Sequence, residues 1–368
     1  MKILVVFTGG TIGSTISEGY AVPDADKRYR LISMYEENVE SNGDYTAKEK
    51  IQFEMGSPYQ ELSENNTCDR LFELASYLNE KIKLCGKDNS MYDGIIITHG
   101  TDTLQYTAAA LGYMFSDVCI PIVLVSSNYV LDDTRANGLT NFSYAVKFIE
   151  EKCGTGVFVS YCNTGKEPVI HRGTRLMEHT AYSDDVYSVK NSEYGHFEDG
   201  MFVKRIKEDD IADQFLKSTK KCPEIRRGFL ENKRRENIFA DIYLIKPFPG
   251  MKYAAIPDGI KGVLHMTYHS GTICSKSPDI KEFAKNAQER NIPIYIYGAG
   301  DSVDYDSVKV YRKLSFETLP VAALPAMLIK LWLGCIIFSD KSDISRFMTE
   351  DIAGDINLKY IIKSEEIR

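Results

Sequence analysis

Short apolar runs alternate along the chain with segments in which apolar residues recur three and four positions apart. A short apolar run predicts a buried strand, whereas the three-and-four spacing predicts an amphipathic helix. The predicted strands occupy 2–7, 92–98, 120–126, 156–161, 240–245, 262–268 and 292–298. The predicted helices occupy 68–85, 103–115, 141–153 and 279–291. Strands that alternate with helices in this way predict an α/β fold with a largely parallel sheet.

The length of the chain predicts two domains. With 368 residues, the chain is longer than a single hydrophobic core usually accommodates. The segment 206–236 is charged and poor in β-branched residues, and it separates two stretches of α/β pattern. We therefore expect an N-terminal domain at 1–205, a connecting segment at 206–236 and a C-terminal domain at 237–368.

Charge and hydropathy exclude several function classes. A net charge of −8 is unlike the basic surface of a nucleic-acid-binding protein. The apolar runs are shorter than a membrane span, and residues 3–7 are too short for the core of a signal peptide. The eight cysteines form no CxxC pair, so the sequence predicts no metal site. We expect a cytoplasmic protein that has neither a membrane nor a nucleic-acid partner.

Two loops rich in threonine and glycine follow predicted strands. They are "TGGTIGS" (8–14), after the strand at 2–7, and "THGTDT" (98–103), after the strand at 92–98. Ligands of open α/β sheets bind beyond the carboxyl ends of the strands, which makes both loops candidate site elements. The glycine spacing of the first loop matches neither a dinucleotide-binding fingerprint nor a P-loop.

The residues of these loops suit acyl-transfer chemistry. Thr11 places a hydroxyl beside the backbone N–H groups of a glycine-rich turn, which pairs a nucleophile with oxyanion donors. Thr101 and Asp102 add a second hydroxyl and an acid/base group. The N-terminus of the helix predicted at 103–115 also favours an anionic ligand there.

With these motifs the chain resembles the bacterial L-asparaginase family of threonine amidohydrolases. The resemblance rests on "TGGTIGS" with "EGY" (18–20), "LSENNT" (62–67), "IITHGTDTLQYTAAAL" (96–111) and "LDDTRANGLTNFSYAV" (131–146). It implies a larger N-terminal domain with a mixed, mostly parallel sheet and a smaller flavodoxin-like C-terminal domain. It also implies a homodimer or homotetramer, a small amino acid amide as substrate, and no cofactor.

The resemblance assigns catalytic roles to four residues. Thr11 matches the nucleophile that attacks the side-chain amide and forms an acyl-enzyme, and Tyr20 matches the lid tyrosine that assists it. Thr101 and Asp102 match the second threonine and its carboxylate, and Asp102 also holds the substrate ammonium. Water then releases aspartate or glutamate.

Substrate binding is assigned to residues of the same loops and of "LSENNT". Ser63 and Glu64 match the pair that holds the α-carboxylate and α-ammonium of the substrate, while Gly10 and Gly100 are the loop glycines expected to lie against it. Ser63 is equally suited to cap the helix that follows.

Two departures from the family pattern concern charged groups. The family lysine that accompanies the second threonine and the carboxylate has no counterpart in "HRGTRLMEHTAYSDD" (171–185), where Glu178 lies at its place in one alignment. Lys166 and Glu178 are the possible replacement bases. Pro325 occupies the position at which the family offers a glutamate from the neighbouring subunit.

Three functions are therefore open. The first is hydrolysis of asparagine or a related amide. The second is the amidase half of a transamidating enzyme, like a subunit of the archaeal glutamyl-tRNA amidotransferase; the acidic composition and the strand that starts directly at the N-terminus argue against it. The third is binding of an acidic amino acid or amide with weak or no catalysis, because the family lysine is missing.

Overall fold

The structure is a computed structural model, and it describes residues 1–24, 29–41, 51–83, 91–205, 221–232, 241–299 and 305–357. Three sheets lie in this part of the chain. The largest has eight strands, in the order β10-β9-β8-β7-β6-β5-β1-β4. Its strands are β1 (Lys2–Phe7), β4 (Gln52–Gly56), β5 (Gly94–Thr98), β6 (Pro121–Val125), β7 (Gly156–Tyr161), β8 (Val169–Arg172), β9 (Gly195–Glu198) and β10 (Met201–Lys204).

The large sheet is mixed but mostly parallel, as predicted. Strands β4, β1, β5, β6 and β7 pair in parallel, whereas β7 to β10 pair antiparallel. The inner strands are completely buried, because helices cover both faces of the sheet. Their continuous apolar sequences, such as "GIIIT" of β5, follow from that burial.

Helices connect and cover these strands. The helices of the N-terminal half are α1 (Arg30–Ser41), α2 (Cys68–Lys83), α3 (Leu104–Met114) and α4 (Gly138–Glu150). Those that follow are α5 (Pro223–Glu231), α6 (Ile280–Glu289), α7 (Asp306–Lys313), α8 (Leu324–Ile337) and α9 (Lys341–Thr349). Strands β2 (Ser14–Ser17) and β3 (Tyr20–Pro23) form a separate hairpin.

The chain order places the two threonine loops side by side. The chain runs from β1 to the edge strand β4 and then crosses back to β5 on the other side of β1. Phe7 therefore pairs with Thr98, and the loops after β1 and β5 leave the same edge of the sheet. Such a switch point opens a crevice at the carboxyl ends of the strands, where ligands bind in α/β proteins.

A second, four-stranded parallel sheet lies in the C-terminal part. Its order is β11-β12-β13-β14, with β11 (Ile242–Ile245), β12 (Gly262–Met266), β13 (Ile294–Tyr297) and β14 (Glu317–Thr318). Apart from the buried Lys330, helix α8 is apolar on all sides, because it is buried between this sheet and α3. One hydrophobic core thus includes residues of both sheets.

The predicted elements exist, and several others were not predicted. The strands at 2–7 and 156–161 have the predicted bounds, and the others are shorter by up to three residues in total. Helix α5 lies within the predicted connecting segment and buries Ile225 and Phe229; residues 206–220 and 233–236 of that segment lie outside the described residues. The division into two domains stays a prediction. Within the described ranges no helix is long and apolar enough to cross a membrane.

Candidate active site

Three loops meet beyond the carboxyl ends of β1 and β5. The Thr8 hydroxyl donates to the carbonyl oxygen of Thr98 over 2.6 Å. The Glu61 N–H donates to the Thr8 carbonyl, and the Gly10 N–H donates to the Glu61 carbonyl, both over 3.0 Å. These hydrogen bonds fix the loop after β1, the segment around Glu61 and the loop after β5 as one unit.

Two glycines allow the loops to touch. A Cβ atom at Gly10 would lie 2.3 Å from the backbone nitrogen of Gly100, and one at Gly100 would lie 2.4 Å from the Ser63 hydroxyl oxygen. Gly10 also has a φ of +78°, which L side chains rarely adopt. The sequence therefore needs glycine at both positions, and this contact brings Thr11, Ser63 and Thr101 to one place.

We expect Gly10→Ala to reduce turnover by at least about 100-fold, because displacement of a reacting group by about 1 Å has that effect. The new methyl group would overlap backbone atoms, so the two loops would have to separate. Gly13→Ala is the matched control, since a Cβ there meets nothing within 4 Å. Equal kcat/KM values for the two variants in a steady-state assay would contradict the importance of this contact.

Thr11 begins a 3₁₀ turn, Thr11–Gly13, directly after the contact. The Gly10 carbonyl accepts hydrogen bonds from the Gly13 N–H (3.0 Å) and the Ser14 hydroxyl (2.9 Å). Because C=O and N–H point in opposite directions in a trans peptide, the Thr11 N–H points away from these donors. It has no acceptor among the described residues and so is available to a ligand.

Ser63 lies in a second 3₁₀ turn, Ser63–Asn65. Its carbonyl accepts a 2.9 Å hydrogen bond from the Thr103 hydroxyl, which ties the turn to the loop after β5. The Ser63 hydroxyl is buried and has no partner among the described residues. Because its hydroxyl has no partner among these residues, Ser63 does not cap helix α2, which begins at Cys68, and Glu64 is exposed to solvent.

A cavity of about 370 Å³ adjoins the loop after β5. Its walls carry three carboxylates and no lysine or arginine; the lining residues are Thr101, Asp102, Gln105, Tyr106, Glu178, His179, Ser183 and Asp184. None of the three carboxylates forms a salt bridge within the described part of the chain. The cavity is therefore suited to a ligand that carries a positive charge.

Glu178 is held on the cavity wall by Tyr106. The Tyr106 hydroxyl donates to the Glu178 carboxylate over 2.6 Å. Burial, with the hydrogen bond to Glu178 as a further cause, raises the pKa of Tyr106 well above its ordinary value. Tyr106 therefore remains a donor at neutral pH and keeps Glu178 oriented.

Two other predicted site residues, Tyr20 and Lys166, lie neither at the contact of the loops nor on this cavity wall. Tyr20 starts strand β3 of the hairpin and is 75% exposed. Lys166 lies in the exposed turn after β7, where its backbone N–H donates to the Asn163 carbonyl over 3.0 Å. The structure thus brings together Gly10, Thr11, Ser63, Gly100, Thr101 and Asp102, with Glu178 on the adjoining wall.

The basic residues near Glu178 in sequence serve other purposes. The Arg172 guanidinium lies 4.7 Å from the ring centroid of Tyr194. Arg175 is buried and donates to the Gly354 carbonyl over 2.6 Å, which anchors the C-terminal segment. Pro325 lies in the first turn of α8, where its ring is well tolerated.

Sequence reasoning did not single out His99, although it lies within the quoted "THGTDT". The ring is fully buried and contacts Asn66, which follows the turn of Ser63, and Gly100 of its own loop. A histidine between a buried strand and a glycine was the available signal. The wall residues Gln105 and Tyr106 were also missed, because their sequence resembles an ordinary buried helix.

Comparisons with known proteins agree with this architecture. The model of the family described as "Asparaginase, N-terminal" matches residues 2–205. An L-asparaginase of Thermococcus kodakarensis is 26% identical over 367 residues, which cover 97% of this chain and 99% of that protein. Among solved structures, the thermostable L-asparaginase from Thermococcus kodakarensis superimposes with a TM-score of 0.71 at 22% identity, covering 97% of this chain and 99% of that chain.

Other relatives are longer than this chain. One of the subunits of the glutamyl-tRNA(Gln) amidotransferase of Archaeoglobus fulgidus is 28% identical over 251 residues, which cover 68% of this chain and 53% of that relative. An L-asparaginase of Dirofilaria immitis is 24% identical over 314 residues, covering 78% of this chain and 48% of that protein. The chain thus spans about half the length of these two relatives. Because the family model covers more than half of the chain, the protein belongs to the asparaginase family.

Proposed function

We propose that the protein is an amidohydrolase that converts L-asparagine, or a related amide, to the acid and ammonia through a threonine nucleophile. The observation that carries the proposal is the contact of Gly10 with Gly100, which brings Thr11 next to Thr101 and Ser63. Family membership supports the same reaction class.

In the proposed reaction the Thr11 hydroxyl oxygen attacks the side-chain amide carbon. The C–N bond breaks, and ammonia leaves with the hydroxyl proton. Water then hydrolyses the ester on Thr11, which gives the product acid and restores the hydroxyl. The unpartnered N–H groups of Thr11 and Thr101 are suited to stabilise the oxyanion formed in each addition step.

The polar groups around the crevice fit an amino acid amide. The unpartnered Ser63 hydroxyl is suited to donate a hydrogen bond to an α-carboxylate. Asp102, which forms part of the acidic cavity wall, is suited to bind an α-ammonium. Contacts at these two groups of the substrate would then align its amide between Thr11 and Thr101.

Ammonia release from a panel of asparagine, glutamine and simple aliphatic amides tests the proposal. We expect release from one of the amino acid amides and little from amides that lack the α-ammonium, because Asp102 would have no charge to pair with. An isothermal titration with aspartate, run in parallel, measures binding independently of ammonia release. Binding of aspartate with no ammonia release from any amide would support a binding protein instead.

The two possible replacement bases can be separated by substitution. We expect Glu178→Gln to lower kcat by about 100-fold, within the range of general acid–base catalysis, because Glu178 lines the same cavity as Asp102. Glutamine can still accept the Tyr106 hydrogen bond, so the shape of the wall is kept. Lys166→Ala should leave kcat within about twofold, since surface changes have small effects. The reverse pattern in steady-state assays would identify Lys166 as the base.

A second candidate is supply of ammonia to a partner in transamidation, which the amidotransferase relatives favour. A free amidase releases ammonia without a partner, whereas a transamidating protein would need one. We also propose that the protein is a homo-oligomer and that it is cytoplasmic. The cytoplasmic location is in line with a solved relative described as a probable cytoplasmic L-asparaginase from Campylobacter jejuni. Sedimentation equilibrium of the purified chain distinguishes a dimer from a tetramer.

A further inference from the structure

His99 lies between the loop that contains Thr101 and the segment around Ser63. Its ring is completely buried, directly after β5. The Nδ1 atom lies 2.8 Å from the Gly100 carbonyl oxygen, and the Nε2 atom lies 3.2 Å from the Asn66 side-chain nitrogen. Asn66 immediately follows the 3₁₀ turn that contains Ser63. The ring thus connects the segment at 63–66 to the loop of Thr101.

These contacts determine the protonation of the ring. A carbonyl oxygen only accepts, so Nδ1 carries the proton, and Nε2 accepts from the Asn66 amide. Burial lowers the pKa of His99 to about 4, so the ring is neutral at neutral pH. His99 therefore cannot act as a cationic group or as a base toward Gly100, and its Nδ1–H is a fixed donor.

The hydrogen bond from Nδ1 orients the peptide between Gly100 and Thr101. The peptide is trans, so its N–H points opposite to its C=O. With the carbonyl turned toward the buried ring, the Thr101 N–H is turned away from the ring. That N–H has no acceptor among the described residues.

We infer that His99 is a positioning residue that, held in one tautomer by Asn66, keeps the Thr101 N–H directed at the reacting carbonyl group of the substrate. The inference rests on the proposed function. The Gly10 carbonyl, held by the Gly13 N–H and the Ser14 hydroxyl, orients the Thr11 N–H in the same way on the facing loop. The His99 ring thus holds the Gly100 carbonyl, as the Gly13 N–H and the Ser14 hydroxyl hold the Gly10 carbonyl.

Two substitutions at His99 test the inference. His99→Leu removes the donor, and we expect kcat to fall by about 100-fold or more, as for the loss of one oxyanion donor, with KM changed by less than about threefold. His99→Asn keeps an N–H near the place of Nδ1 and should recover kcat to within about tenfold of the wild-type value. His171→Leu is the matched control, because His171 is another buried histidine, lies in strand β8 and bonds Ser188 away from the site.

A purely structural role would lower the melting temperature of both leucine variants and leave their kcat values alike. Nitrogen-15 NMR of the wild-type protein supplies a readout that needs no activity, and we expect the proton on Nδ1 at pH 7. Equal rates for His99→Leu and the wild type, or a proton on Nε2, would overturn the inference. If His99→Leu does not fold, the kcat of His99→Asn and the position of the proton in the NMR spectrum test the inference. A wild-type protein without ammonia release would refute the proposed function, and the spectrum alone would then test the orientation of the peptide.

Discussion

Thr11→Ala is expected to reduce kcat for amide hydrolysis on the order of 10⁴-fold or more, the scale seen when a nucleophile is removed. The variant keeps the Thr11 N–H and the contact between Gly10 and Gly100, since neither involves the side chain. Substrate binding should persist, so KM or the affinity for aspartate should change little. A steady-state ammonia assay and an isothermal titration measure the two effects.

Two controls narrow the interpretation of that result. Thr11→Ser retains a hydroxyl and should keep measurable turnover, whereas Thr15→Ala removes a hydroxyl in the adjacent hairpin and should have no effect. If Thr11→Ala remained active and Thr101→Ala did not, the nucleophile would be Thr101. The loop after β5 would then supply the nucleophile, and the loop after β1 would supply the assisting threonine.

The largest expected effect on stability concerns a buried ion pair remote from the site. Lys330 of α8 and Asp355 are both fully buried, with 2.7 Å between Nζ and Oδ2. The Tyr113 hydroxyl of α3 also donates to Asp355, over 2.8 Å. We expect Lys330→Met to lower the free energy of unfolding by about 3–5 kcal/mol, because it leaves the Asp355 carboxylate buried without its counter-charge.

Thermal unfolding measures this effect. For a domain of this size, the loss corresponds to a fall in Tm of roughly 10 °C. Lys285→Met, at an exposed ion pair with Glu289, is the matched control and should cost less than about 1 kcal/mol. Replacing both partners with apolar residues should recover much of the loss. Equal Tm values for the two single variants would show that the buried pair contributes nothing.

Local pattern was sufficient to predict the elements that bring the threonine loops together. The apolar runs of β1 and β5 are continuous because both strands are buried on both faces. Each ends at a threonine–glycine loop, and a parallel sheet places such loops at one edge. The proximity of the two loops follows from these features together with the strand order, which the structure supplies.

Elements that depend on distant contacts were not predicted. Strand β4 has the half-polar sequence "QFEMG" at a sheet edge, which gives no clear period. Helix α5 is short and charged. It packs against α2, α3 and α8, and few of its residues are apolar and buried. Pairing of Lys330 with Asp355 joins segments that no local pattern connects.

The site shows the same division between local and distant information. Motif residues such as Ser63 and Asp102 were predicted from the family resemblance, and their roles stay predictions. The acidic cavity arises because α3 and the segment at 178–184 meet in space, which sequence spacing does not reveal. His99 lies within a predicted site motif, but its contacts with Asn66 and Gly100 are visible only in the structure.

Mass spectrometry of the enzyme quenched with acid during turnover of asparagine tests whether Thr11 is the nucleophile. We expect an ester-linked aspartyl group on the peptide that contains Thr11, absent from Thr11→Ala and from enzyme without substrate. An aspartyl group on Thr101 instead, or rapid ammonia release with no acylated peptide at any quench time, would contradict Thr11 as the nucleophile.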